Sequence, residues 1–142
     1  MATVNIYLTY NGNCEAAFNF YRSVFGGEFS FFSRFKDMPS ESGTSKTEDA
    51  EKIMHVCLPI SKETMLMASD VGSEWAAQFK EGNNCAISIN AGSREEADRL
   101  FNGLSAGGQV TMPIDNTFWG AYFGMFTDRF GVNWMVNFDA QP

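Results

Sequence analysis

Apolar residues along the chain follow strand-like runs and helix-like spacing in turn. Residues 4–8 form a short apolar run typical of a strand, and the polar residues after it predict a break with Asn13 as a helix cap. Apolar side chains then recur at helical spacing over residues 14–25, and Gly26-Gly27 predicts the end of that helix. Three more strands are predicted, at residues 29–35, 53–60 and 64–68, and the polar stretch 37–51 is predicted to be a solvated loop.

The same succession begins again in the second half of the chain. Residues 86–89 predict a strand, and Ser93 followed by Glu96 is a capping-box signature that opens a second helix, which ends at Gly107-Gly108. Strands follow at residues 109–112, 120–127 and 132–138, and residues 128–131 are predicted to form the turn between the last two.

A shift of 81 residues superimposes the two halves as an internal repeat. Between residues 6–27 and residues 87–108, six pairs are identical under this shift: Ile6/Ile87, Glu15/Glu96, Ala16/Ala97, Phe20/Phe101, Gly26/Gly107 and Gly27/Gly108. Each half alone is too small to bury both faces of its sheet. We therefore expect an α+β fold in which two βαβββ modules, about residues 3–70 and 84–139, form a cupped mixed sheet within a single domain spanning residues 1–142.

Composition narrows the function classes. Seventeen acidic residues against ten basic ones give a net charge of −7, which argues against nucleic acid as a partner. No apolar run is long enough to span a membrane, and the N-terminus has no secretory pattern. Cys14, Cys57 and Cys85 are odd in number and widely spaced, which favours free thiols and a cytoplasmic location. With one histidine, the chain alone cannot build a site with two His ligands.

Five segments carry a resemblance to a known family: residues 10–28, Met54-His55, residues 65–70, Trp119-Gly120 and residues 123–134. On these segments the chain resembles the vicinal oxygen chelate superfamily, which includes glyoxalase I, bleomycin-resistance proteins and extradiol dioxygenases, and within it the PhnB-like branch. The resemblance covers nearly the whole chain. It implies a glyoxalase-like fold and a homodimer.

The metal enzymes of this superfamily place His or Glu on the first and last strands of each module. By resemblance, those positions fall near Asn5 or Ile6, on Met67, near Cys85 or Ala86, and on Met135. None of these residues is a His or a carboxylate, and a thioether is a poor ligand for a hard or borderline divalent ion. We therefore expect no divalent metal. No Gly-rich turn opens a helix after a strand, so no nucleotide-type cofactor is expected either.

The ligand-binding residues predicted from this pattern are Met67, Tyr122, Phe126, Asn133, Met135 and Asn137. If Thr127 pairs with Val132, the last hairpin places Tyr122, Phe126 and Met135 on one face with the two Asn side chains, as an apolar pocket with polar handles. Phe123, Met125, Trp134 and Val136 would then pack against helices. The methionines and each aromatic side chain could equally be plain core. His55 is either a general base or polar handle, or a hydrogen-bonded structural histidine.

The function expected from the sequence is binding of a small apolar or aromatic molecule without a divalent metal. Two alternatives stay open. One is a lyase, isomerase or dioxygenase-type enzyme that uses a displaced metal site or His55. The other is a structural or regulatory dimer whose cup is filled by its own side chains.

Overall fold

The structure is a computed structural model that describes residues 2–37 and 49–139. The chain forms two compact units, Met1–Lys80 and Glu81–Pro142. Most of the stretch predicted as a solvated loop, residues 38–48, lies outside the described residues. None of the helices described is both long and apolar enough to cross a membrane.

The first unit is a four-stranded mixed sheet with one long helix. Its elements are β1 (Ile6–Tyr10), α1 (Cys14–Phe25), β2 (Phe31–Arg34), β3 (Ile53–Pro59) and β4 (Met65–Asp70). The strand order is β1-β4-β3-β2, with β1 parallel to β4 and the other pairs antiparallel. Short 3₁₀ helices lie at Phe35–Asp37 and Ser73–Gln78.

Alternation along these strands separates a buried face from an open one. Phe18 and Tyr21 of α1 are fully buried, as are Val56 of β3 and Ala68 of β4, which face each other in register. Because side chains alternate across a strand, the residues directly before and after Val56 and Ala68 point to the other face of the sheet. That face is half-buried to exposed over most of its length.

The start of α1 is stabilised from β4 and not by the predicted cap. Asn13 holds the N-cap position but makes no side-chain capping hydrogen bond, so the predicted capping role is wrong. Asp70, which is 4% exposed, accepts hydrogen bonds from the backbone N–H groups of Gly12 and Cys14 at 2.9 and 3.0 Å, and from that of Ile53 at 2.9 Å. One carboxylate therefore ties the helix N-terminus to two strands.

A second buried carboxylate corrects the loop prediction. Asp49 falls in the stretch predicted to be solvated, yet it is only 3% exposed. It accepts hydrogen bonds from the N–H and the hydroxyl of Ser73 and forms an ion pair of 3.1 Å with Lys52. Burial disfavours its charged form, but these Ser73 and Lys52 contacts outweigh that effect and lower the pKa of Asp49.

The second unit repeats the architecture. Its elements are β5 (Ile87–Asn90), α2 (Arg94–Ser105), β6 (Gln109–Asn116), β7 (Ala121–Thr127) and β8 (Asn133–Asp139). The order is β5-β8-β7-β6, with β5 parallel to β8. The predicted Ser93 cap is confirmed, because its side chain accepts from the Glu96 N–H. The Glu96 carboxylate accepts from the Gly92 N–H, one residue before the position that a standard capping box uses. The α+β class with two βαβββ units is likewise confirmed.

The register of the last hairpin differs from the prediction by one residue. Thr127 pairs with Asn133 and not with Val132, so Phe126 lies opposite Trp134 and Met125 opposite Met135. A longer connection, residues 128–132, causes the shift. Since the side-chain period is two, a slip of one residue moves every side chain of one strand to the other face relative to its partner.

Candidate functional site

The open face of the second sheet borders a cavity with an apolar floor. Met125 and Met135 lie directly opposite each other on β7 and β8, and Ser88 of β5 is beside Met135. The cavity has a volume of about 570 Å³ and is bordered by both methionines, by residues 83–86 and by Thr111. Flexible thioether side chains form an adaptable lining for an apolar molecule.

Asn133 connects three segments at the wall of this cavity. Its Oδ1 accepts a hydrogen bond of 2.7 Å from the Thr127 hydroxyl, and its Nδ2 donates to the Cys85 carbonyl at 3.3 Å. The amide therefore holds the entry to β5 against β7 and leaves polar groups along one side of an apolar space. Asn137 lies on the same face of β8, where its Nδ2 donates to Asn90 Oδ1 at 3.4 Å.

Tyr122 lies on the opposite face, against α2. Its hydroxyl donates a short hydrogen bond to Asp98, and the Arg94 guanidinium carbon is 3.9 Å from the ring centroid. The hydrogen bond to Asp98, followed by burial, raises the pKa of Tyr122. The predicted placement of Tyr122 beside Met135 is therefore wrong, because the register slip turns it towards the helix.

Phe126 is displaced from the predicted face in the same way. It borders the cavity but is only 1% exposed. Its ring packs edge-on against Phe101 at 5.1 Å and is stacked on Trp134 at 6.5 Å. Conversely, the alternation places Phe123 and Met125, which were expected to pack on helices, on the open face.

Asp128 fixes the register and was not singled out in the sequence. Its Oδ2 accepts a hydrogen bond of 2.8 Å from the Trp134 indole, and its Oδ1 accepts from the N–H groups of Phe130 and Val132. The carboxylate is only 3% exposed. An Asp at a strand end before a Gly-containing turn is the one sequence signal that could have identified it.

The open face of the first sheet carries His55. Its Nδ1 is 3.3 Å from the Tyr7 hydroxyl, and the two rings are stacked at 5.6 Å, with the Phe31 ring 5.4 Å away on another strand. His55 is half-buried and lies on the face away from α1. Ser33, its partner in register, has a buried hydroxyl without a hydrogen-bond partner among the described residues.

The positions at which the resemblance places the family's metal ligands carry no His or carboxylate: they fall near Asn5 or Ile6, on Met67, near Cys85 or Ala86, and on Met135. In the structure the strand neighbour of Met67 is Tyr7, and that of Met135 is Ser88. A phenol, a hydroxyl and two thioethers are poor ligands for hard or borderline cations. Within residues 2–37 and 49–139, no three His, Cys, Asp or Glu side chains come together as a ligand set.

Two βαβββ units, each a four-stranded mixed sheet with a helix on one face and an open second face, are the architecture of the glyoxalase-like fold. The chain belongs to the Glyoxalase/Bleomycin resistance protein/Dioxygenase superfamily, whose family model matches residues 3–136. The resemblance seen in the sequence is thereby confirmed.

Individual relatives agree with this assignment. Protein YjdN of Escherichia coli (strain K12) is 30% identical over 139 residues, which cover 92% of this chain and 91% of YjdN. The crystal structure of protein PA1353 from Pseudomonas aeruginosa is 42% identical with a TM-score of 0.82, over 98% of each chain. The PhnB protein from Bacillus cereus shares the fold, at 23% identity and a TM-score of 0.75, over 96% of this chain and 99% of that one.

Proposed function

We propose that this superfamily member binds a small apolar or aromatic molecule, without a divalent metal, on the open face of its second unit. The observation that carries the proposal is the cavity of about 570 Å³ beside Met125, Met135 and the anchored amide of Asn133. Its volume falls within the range of small-molecule sites, roughly 300–1,000 Å³. Burial of apolar ligand surface against the methionines supplies affinity, and the amide and hydroxyl groups set orientation.

The metal-independent part of the proposal rests on ligand chemistry. At the last-strand positions, where the family's enzymes carry a carboxylate, this chain has Met67 and Met135. A thioether offers no charge to a divalent ion and makes good contacts with aromatic rings. A change from carboxylate to methionine thus exchanges metal affinity for apolar lining. Native mass spectrometry of protein purified without added metal should show no stoichiometric divalent ion; finding one would contradict this part.

Filling the cavity tests the site directly. The neutral fluorophore 1-aminoanthracene is expected to bind at one equivalent per chain, and Met135→Trp should weaken that binding about tenfold or more, which corresponds to about 1.4 kcal/mol. The matched control is Met65→Trp, an exposed strand methionine of the first unit. Equal binding by wild type and Met135→Trp would refute the site. Absence of binding to a folded wild-type protein would favour a ligand-free structural or regulatory protein.

His55 supports a second candidate function, acid–base catalysis as in a lyase or isomerase. It lies on an open face, with the Tyr7 hydroxyl 3.3 Å from Nδ1. Opposite it in register is the buried Ser33 hydroxyl, which has no hydrogen-bond partner in the part of the chain that the structure describes. The test is turnover of the hemithioacetal of methylglyoxal and glutathione. Turnover lost in His55→Ala and unchanged in Met54→Leu, with unaltered circular dichroism, would support catalysis. Turnover that His55→Ala leaves intact would exclude His55 from it.

The remaining proposals concern assembly and organisation. We propose a homodimer acting in the cytoplasm, with the two compact units corresponding to the modules predicted at residues 3–70 and 84–139. The family assignment supports these proposals. Light scattering coupled to size-exclusion chromatography measures the assembly state, and a monomer mass at micromolar concentration would refute the dimer.

A further inference from the structure

We propose that the open face of the first unit binds a monovalent soft metal ion, Cu(I), through Cys57, Met65 and Met67. This goes beyond the proposed function, because the site lies in the other unit and takes a different kind of ligand. It also differs from a divalent centre of the family, since its donors are a thiol and two thioethers.

Strand register brings these sulfur side chains together. Cys57 on β3 lies directly opposite Met67 on β4, and directly paired side chains have Cβ atoms about 4.5–5.5 Å apart. Met65 is two residues from Met67 and therefore on the same face. The Cys57 Sγ is 3.4 Å from the Met65 Sδ, so two sulfur atoms are already in contact.

The three sulfur side chains differ in exposure, from a buried thiol to a methionine at the rim of the face. Cys57 is 6% exposed, Met67 is half-buried, and Met65 is 37% exposed at the rim. An ion can therefore reach the thiol past the exposed, unbranched Met65 side chain and then be screened from water by both methionines.

The surrounding chemistry selects a soft, singly charged ion. The strand positions of this face carry no carboxylate: besides the three sulfur residues they are Tyr7, Thr9, Phe31, Ser33, His55, Pro59 and Ser69. Thiolate and thioether donors favour Cu(I), whereas carboxylates and carbonyls favour hard cations. One thiolate also neutralises one positive charge, which leaves no net charge on the site. On binding, the Cys57 thiol releases its proton to solvent and the sulfur donates an electron pair to the metal.

The other two cysteines serve as internal comparisons. Cys14 is fully buried, and burial, aided by the charges of Asp70 and Glu15, raises the pKa of its thiol far above the usual range, so it is no ligand in the folded protein. Cys85 is exposed and borders the cavity of the second unit, together with Met125 and Met135. No sulfur–sulfur contact ties Cys85 to a methionine among the described residues, and it is the rival site that the experiment must separate.

The test is an anaerobic competition with the full chain, reduced and metal-free, using Cu(I) presented as its bicinchoninate complex. Loss of the complex's absorbance reports Cu(I) withdrawn by the protein, and one equivalent per chain is expected. Cys57→Ser should weaken binding by about tenfold or more, the scale on which disturbing a metal's coordination lowers affinity. Cys85→Ser should bind as wild type.

Methionine variants keep the test decisive if Cys57→Ser fails to fold. Met65→Leu preserves size and apolarity, removes one sulfur and should also weaken Cu(I) binding. Met112→Leu, at a methionine of the same 37% exposure on β6, is the matched control and should not. Wild-type Cu(I) affinity in Cys57→Ser or Met65→Leu, loss of binding in Cys85→Ser, or no withdrawal by wild type would each overturn the proposal.

Discussion

Removal of the Asp128 carboxylate should destabilise the second unit more than any surface change, because this group sets the register on which the cavity depends. It accepts hydrogen bonds from the indole of Trp134 and from the N–H groups of Phe130 and Val132. Asp128→Ala leaves all three donors without this acceptor. Trp134 is only 1% exposed, so water cannot replace the lost partner of its indole.

The magnitude follows from the burial of each donor. An unsatisfied buried donor costs about 1–3 kcal/mol, and each bond to a half-buried N–H adds about 0.5–1.5 kcal/mol. The expected loss for Asp128→Ala is therefore about 2–6 kcal/mol, a large part of a total stability of about 5–15 kcal/mol. Asp128→Asn retains one acceptor oxygen and should lose about half as much. Asp115→Asn, at an exposed carboxylate that accepts a hydrogen bond from the Asn116 N–H, should change stability by at most about 0.5 kcal/mol.

Urea unfolding followed by circular dichroism measures the free energy of unfolding. With a slope of about 2 kcal/mol per molar urea, the middle of the usual range, the Asp128→Ala midpoint should fall by about 1–3 M. The cavity faces the same hairpin, so 1-aminoanthracene binding should weaken as well. A loss below about 1 kcal/mol in Asp128→Ala, with unchanged probe binding, would refute the view that this carboxylate holds the register.

Three further outcomes test other parts of the structure. The Arg34 hydrogen bond lowers the pKa of Glu15, so the stabilisation from this ion pair is present above the ordinary carboxyl pKa and is lost as pH falls through the lowered value. Glu15→Gln should therefore cost at most about 1 kcal/mol at pH 7, and its difference in urea midpoint from wild type should vanish in acid; a difference that stays constant with pH would contradict this. Asp98→Asn should lower the pKa of Tyr122 back towards its ordinary value, so that phenolate absorbance, after subtraction of the Tyr122→Phe spectrum, develops at lower pH than in wild type. An unchanged pH titration would contradict the assignment of the raised pKa to Asp98. Gly124→Ala would place its Cβ 2.6 Å from Phe101 Cε2 and 2.8 Å from a backbone atom of β6, and should cost about 1–3 kcal/mol in the urea assay; a neutral effect would mean that the core yields there.

The sequence predicts the elements of this fold well and the faces of one hairpin poorly. Helix spacing and glycine stops reflect local backbone preferences, so α1 and α2 lie close to where the pattern places them. Strand register depends on a turn, and the connection after Thr127 is one residue longer than the pattern indicates. That residue is decided by hydrogen bonds between Asp128 and groups up to six positions away, which composition and periodicity do not encode.

The other wrong predictions involve carboxylates that accept hydrogen bonds from residues distant in sequence. The backbone N–H groups at the start of α1 are satisfied by Asp70, more than 50 residues after the helix begins, whereas a cap predicted from neighbouring residues falls on Asn13. Asp49 looks like a loop residue because its neighbours in sequence are polar, but Ser73 satisfies it within the folded unit. A buried Asp is tolerable only when such partners exist, and partners distant in sequence are visible only in the fold.

The internal repeat continues into the two open faces, where it carries different chemistry. Tyr7 and Ser88 are separated by the repeat shift of 81 residues, and each lies beside the last-strand methionine of its own unit, Met67 or Met135. The backbone positions are therefore equivalent while their neighbours are not. Met67 is paired with the thiol of Cys57, whereas Met135 is paired with Met125. A methionine at this strand position is suited to a soft metal ion where a thiolate is adjacent, as in the first unit. It is suited to an apolar molecule where a second thioether is adjacent, as in the second unit.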